Sequence, residues 1–133
     1  MAKSVLVVEP MLSQRSLWEA LLREAGFHTR GVADGLSALT ALQEEPADLA
    51  LVAADLPDMD GYRLCAALRR LPDGRQIQGV VLTMESTIVA QARARTSKIA
   101  AVLSLPGNQK DVAKFLIDLP AVCLRVAEER DCG

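Results

Sequence analysis

Four short runs constrain this chain most: SVLVV at 4–8, LALVA at 49–53, GVVLT at 79–83 and AAVLSL at 100–105. Each is apolar almost without interruption. A strand with one face in water alternates apolar and polar side chains, so runs like these belong to strands covered on both faces. They are also too short for buried helices. The covering layers must come from the segments between them, which have a different period.

Those intervening segments read as helices. Ser13 is placed to N-cap a helix running to Ala25, with Leu17 and Leu21 and then Trp18, Leu22 and Ala25 at helical spacing. Gly26 supplies the stop. A second strand follows at 28–32. Ala38, Leu39 and Leu42 mark another helix, closed by Pro46. The turn-rich DLPDMDG after the 49–53 run leads into a helix expected over 62–71, with Leu64, Ala67, Leu68 and Leu71 on one face. A last helix is expected over 108–119 and is ended or kinked by Pro120. Strand–helix alternation with continuous apolar strands predicts a doubly wound α/β fold. Residues 1–120 form its domain, and 121–133 a C-terminal helical extension, linker or tail.

Composition narrows the function classes. The 133 residues fit one domain. Aromatics make up only 3% of them, so the core must be built from Leu, Val, Ile and Ala. A net charge of −2 gives no basic footprint for nucleic acid. No apolar run is long enough to span a bilayer, and the N-terminus lacks a secretory pattern, so a cytoplasmic protein is expected. Cys65, Cys123 and Cys132 are odd in number and lack CxxC spacing, which fits free thiols. His28 stands alone, without the cluster a metal site needs. No Gly-rich loop is present to cradle a nucleotide phosphate.

The succession KSVLVVEP, LLREAGF, DGLSALTAL, PADLALVAADLPDMDGYRL, VVLT and AAVLSLP resembles the receiver domain of bacterial two-component response regulators over about residues 3–119. The most specific piece is LPDMDG at 56–61, similar to the family's M-P-x-M-D-G turn. The resemblance implies a flavodoxin-like, five-stranded parallel sheet of order 2-1-3-4-5 with helices on both faces. It also implies a pocket at the carboxyl ends of the strands, where doubly wound sheets bind ligands. In such a pocket an aspartate ending strand 3 takes a phosphoryl group and acids after strand 1 hold Mg²⁺. A threonine after strand 4 and a lysine after strand 5 neutralise and hydrogen-bond the transferred group.

Carried over residue by residue, the resemblance implies a degenerate pocket. The two acids fall on Glu9 and Pro10. Counting back from Pro57, the phosphoacceptor position is Ala53, whose methyl group cannot attack phosphorus. Thr83 retains the hydroxyl, but Met84 follows it in place of a small residue. The lysine position is Leu105, and the aromatic that reports activation in many members falls on Val102. The expected chain is therefore a pseudo-receiver. It is a protein-interaction module without enzymatic activity, with no cofactor and no tight Mg²⁺ site, since Glu9 alone is weak.

Two rival readings stay open. Asp55, two residues beyond Ala53, would be the phosphoacceptor of a genuine Mg²⁺-dependent receiver if the register slipped. A small molecule would occupy the vacated pocket if the module binds ligands. In the family, the face made by helix 4, strand 5 and helix 5 commonly binds partners or forms dimers. Here it would carry Ile88, Arg95, Val102 and Lys110, with Val89, Arg93 and Lys98 near them. A charge run of this kind is otherwise a solvated face. Asp58 and Asp60 read as turn and helix-cap residues.

Overall fold

A computed structural model describes residues 3–71, 77–83, 92 and 101–104. Five strands lie in these segments: β1 Ser4–Val8, β2 His28–Val32, β3 Leu49–Ala53, β4 Gln78–Thr83 and β5 Ala101–Ser104. Three helices stand between them: α1 Leu12–Glu24, α2 Gly35–Glu44 and α3 Gly61–Leu68. The strands form one parallel sheet of order β2-β1-β3-β4-β5. This is the doubly wound α/β architecture that the apolar runs predict. The 108–119 helix and the 121–133 extension lie outside the described residues.

The pleat explains why those runs are continuous. Alternate side chains of one strand point to opposite faces, and both faces here are core. Leu6, Val8, Ala50, Val52 and Val81 pack with Ala38 and Leu42 of α2 and Leu64, Cys65 and Leu68 of α3. Val5, Val7, Leu49, Leu51, Val80 and Leu82 pack on the other side with Trp18 and Leu22 of α1 and with Phe27. All five residues of β3 are buried, as befits a central strand. Edge strand β2 buries only Thr29, with His28 and Gly31 exposed and Arg30 and Val32 half-buried, which is why its sequence HTRGV is not an apolar run.

Two glycines set close approaches between layers. Gly79 of β4 lies under Cys65 of α3: a Cβ there would stand 2.9 Å from the Cys65 Cβ and closer still to its sulfur. Gly61 at the start of α3 donates its N–H to the Ala54 carbonyl at 2.8 Å. A Cβ on Gly61 would collide with the carbonyl oxygen of Ala53 and stand 2.9 Å from its carbon. The glycine of the DMDG turn therefore lets the first turn of α3 press on the end of β3.

Several boundaries differ from expectation. Helix α1 starts at Leu12 with Met11 as N-cap and no side-chain cap, so Ser13 lies inside the helix and caps nothing. Its first turn closes when Arg15 N–H donates to the Met11 carbonyl. Helix α3 ends at Leu68, three residues short of Leu71. There the Leu68 carbonyl accepts from Ile77 N–H instead of continuing the helix. Gly26 does stop α1, at φ 96°, a conformation L side chains rarely adopt.

Candidate functional site

The strand register brings the sequence-derived pocket positions to one edge of the sheet. Val8 pairs with Val52, Ala53 with Leu82, and Thr83 with Ser104. Glu9 and Pro10, which follow β1, thus share the carboxyl edge with Ala53 at the end of β3 and Thr83 at the end of β4. Ala53 is 8% exposed and Thr83 3%. The Val102 backbone lies in β5, beside Val81. Leu105, Ile88, Arg95 and Lys110 lie outside the described residues, as do Met84, Val89, Arg93 and Lys98.

Glu9 is held by local bonds. Its N–H donates to the Val32 carbonyl at 3.0 Å, extending the β1–β2 ladder. Its carboxylate Oε1 accepts the Met11 N–H at 3.3 Å. Its carbonyl accepts Nη1 of Arg15 at 2.9 Å. Arg15 was not among the sequence candidates. It reaches this edge because Gly31 of β2 has no side chain: a Cβ there would meet Glu19 and Arg15 within 3.0 Å. Pro10 is half-buried and offers no oxygen from its side chain.

Asp55 is exposed and pairs through its backbone with Asp60 in an isolated antiparallel bridge. Asp60 caps α3, its Oδ1 accepting Tyr62 N–H at 2.7 Å, as its sequence position suggests. Asp58 is also a cap, but of a different helix. Its Oδ1 accepts the N–H of Gly35 at 3.0 Å and its Oδ2 that of Leu36 at 2.9 Å, both in the first turn of α2. The α2 N-cap itself is Asp34, which accepts Ser37 N–H at 2.7 Å. One helix end is thus held by two carboxylates, one local and one reaching across from the β3–α3 loop.

The backbone N–H groups of Gly35 and then Leu36 hold the Asp58 carboxyl below the usual carboxylate range; slight desolvation opposes them. A lowered folded-state pKa makes this contribution present above the unfolded-state value of about 4, and it is lost as pH falls through the lower folded value. The stability difference between wild type and Asp58→Asn, read from urea midpoints, should therefore be steady at pH 5–7 by rough expectation and shrink below about pH 4. A difference independent of pH down to about pH 2 would contradict this.

Burial, and then the negative charge of Asp60, push the Cys65 thiol up to about 12, so it is a packing group without nucleophilic character. Among the described residues no group of three or more His, Cys, Asp or Glu side chains is arranged to hold a metal ion. At the strand edge the donor set is poor: the Glu9 carboxylate, with Pro10 and Ala53 contributing no side-chain oxygen. That set supplies fewer carboxylates than the Mg²⁺ pocket the resemblance implies. Among the described residues no helix is long and apolar enough to cross a membrane.

Comparison with known proteins agrees with this architecture. The response regulator receiver domain family matches residues 5–116, and the chain belongs to that family. It is 42% identical over 67 residues to the transcriptional regulatory protein GltR of Pseudomonas aeruginosa, covering 50% of this chain and 28% of that one. It is 31% identical over 142 residues to the DNA-binding response regulator MtrA of Mycobacterium tuberculosis, covering 91% of this chain and 61% of the relative. The chain thus spans less than two thirds of the length of these relatives. Among solved structures, the signal receiver domain of an HD domain-containing protein from Pseudomonas fluorescens superposes with a TM-score of 0.81 at 24% identity. That match covers 98% of this chain and 93% of the other. The receiver domain of a histidine kinase from Syntrophus aciditrophicus gives 0.75 at 28% identity, covering 96% and 92%. The chain is a receiver domain of the two-component type.

Proposed function

We propose that this receiver domain works by protein contact and takes no phosphoryl group. The observation that carries this reading is Ala53 closing β3, at the phosphoacceptor position counted back from Pro57. Pro10 in place of an acid and Leu105 in place of the lysine support it. With no phosphoryl group to serve, an unpaired acid or lysine at this edge would only carry a desolvation cost. Without phosphorylation, no covalent input distinguishes two states, so the domain acts as a fixed conformer until a partner with differential affinity binds. The partner, another protein or a second copy, would meet the helix 4–strand 5–helix 5 face bearing Ile88, Arg95, Val102 and Lys110. The module catalyses nothing, needs no tightly bound Mg²⁺, and operates in the bacterial cytoplasm.

The test is incubation with a small phosphodonor such as acetyl phosphate and excess Mg²⁺, followed by intact-protein mass spectrometry. The expected spectrum is unmodified protein, while a phosphorylatable receiver treated in parallel gains one phosphoryl group. A phosphoryl adduct that disappears in Asp55→Ala would overturn the proposal and make Asp55 the acceptor.

A further inference from the structure

Beyond the pocket, the β3–α3 loop has a second attachment that the loop's own sequence does not require. Asp58 spends both carboxylate oxygens on the first turn of α2, at Gly35 and Leu36. The next residue, Met59, lays its side chain over Gly35. A Cβ on Gly35 would stand 2.6 Å from Met59 Cε and 2.7 Å from its Cγ. The loop's other end is bound to the site edge, with Gly61 N–H on the Ala54 carbonyl and Ala54 N–H on the Leu82 carbonyl, each at 2.8 Å. Eight residues, 54–61, therefore join the C-terminal ends of β3 and β4 to the start of a helix that is separate in sequence.

We propose that Asp58 and Met59 form a strap coupling the first turn of α2 to the β3–α3 wall of the pocket. With the strap engaged, α2 and the wall move as one unit. With it released, each is free to move alone. A contact on the exposed first turn of α2, where Leu36 is 63% exposed, is then felt at Ala53 and Asp55, and a contact at the pocket edge is felt at α2. The loop meets the physical condition for such coupling: it is bonded at one end to the first turn of α2 and at the other to the ends of β3 and β4. It holds whether or not the chain takes a phosphoryl group, so it stands apart from the preceding proposal.

Amide hydrogen exchange, read residue by residue by NMR on the full chain, tests it. In Asp58→Ala the amides of Gly35 and Leu36 should exchange faster, and so should that of Gly61, on the order of ten-fold for a lost bond to a charged acceptor. Asp58→Asn, which keeps one acceptor oxygen, should give a smaller rise at the same three amides. Asp34→Ala should accelerate Ser37 and leave Gly61 at its native rate. Acceleration confined to Gly35 and Leu36 in Asp58→Ala would overturn the strap, because Asp58 would then be a helix cap and nothing more. If Asp58→Ala instead loosens the whole domain, Gly35→Ala decides. It displaces Met59 from the α2 side with the carboxylate left in place, so faster exchange at Gly61 supports coupling and a native rate there overturns it.

Discussion

Gly61→Ala should destabilise the domain by about 3 kcal/mol, lowering the melting temperature by roughly 10 °C for a domain of this size. The added methyl group would collide with the carbonyl oxygen of Ala53 and approach Ala54 Cα to 3.0 Å. Both are backbone atoms at the end of a central strand, Ala53 in register with Leu82 and Ala54 N–H bonded to the Leu82 carbonyl, so relief requires α3 to lift. Lifting α3 strains the Gly61–Ala54 hydrogen bond and the packing of Leu64, Cys65 and Leu68. Alanine's better helix propensity returns only about 1 kcal/mol. Two other glycines serve as controls. At Gly35 the obstacle is the far end of a flexible methionine, and at Gly26 nothing lies within 4 Å, so the cost there is the positive φ alone. Thermal unfolding of the three alanine variants should rank Gly61 as the most damaging by a clear margin. Equal losses at Gly61 and Gly35 would mean that the end of β3 yields as easily as a side chain.

The sheet was legible in the sequence because burial on both faces leaves an unambiguous mark. β1 and β3 match the 4–8 and 49–53 runs residue for residue, and the edge strand β2 matches the 28–32 expectation. Helix ends were less legible because tertiary bonds set them. Ser13 has the chemistry of an N-cap, yet α1 begins earlier, where Glu9 and Met11 supply the turn. The apolar spacing carries α3 to Leu71, but the helix ends at Leu68, whose carbonyl is taken by Ile77 N–H. At the site, Glu9, Ala53 and Thr83 were placed by the family resemblance, and the strand register sets all three at the carboxyl edge of the sheet. Arg15 and the reach of Asp58 were not. Arg15 depends on an absent side chain at Gly31, and Asp58 bonds residues 22 and 23 positions away. No local pattern encodes either.

Ala53→Asp should place a carboxylate at the end of β3 at a cost of about 2 kcal/mol at neutral pH. The position is 8% exposed, and the Glu9 carboxylate shares the same strand edge, so desolvation and like charge both favour the protonated form. A folded-state pKa raised above the unfolded value of about 3.9 makes the penalty full above the folded value, and it fades as pH falls below it. Ala53→Asn, equal in size and uncharged, should be less destabilised at pH 7 and show no such pH dependence. Added Mg²⁺ separates the variants further. Asp at 53 together with Glu9 gives a divalent cation two carboxylates, so on the order of 10 mM Mg²⁺ against a Kd near 1 mM would return about 1.4 kcal/mol. Wild type, with Pro10 and Ala53 beside Glu9, should not respond in the same titration. If wild type gains as much as Ala53→Asp, the metal is being held without the acceptor position. Asp55 would then be the carboxylate responsible, and the pocket would have kept its chemistry two residues further along the chain.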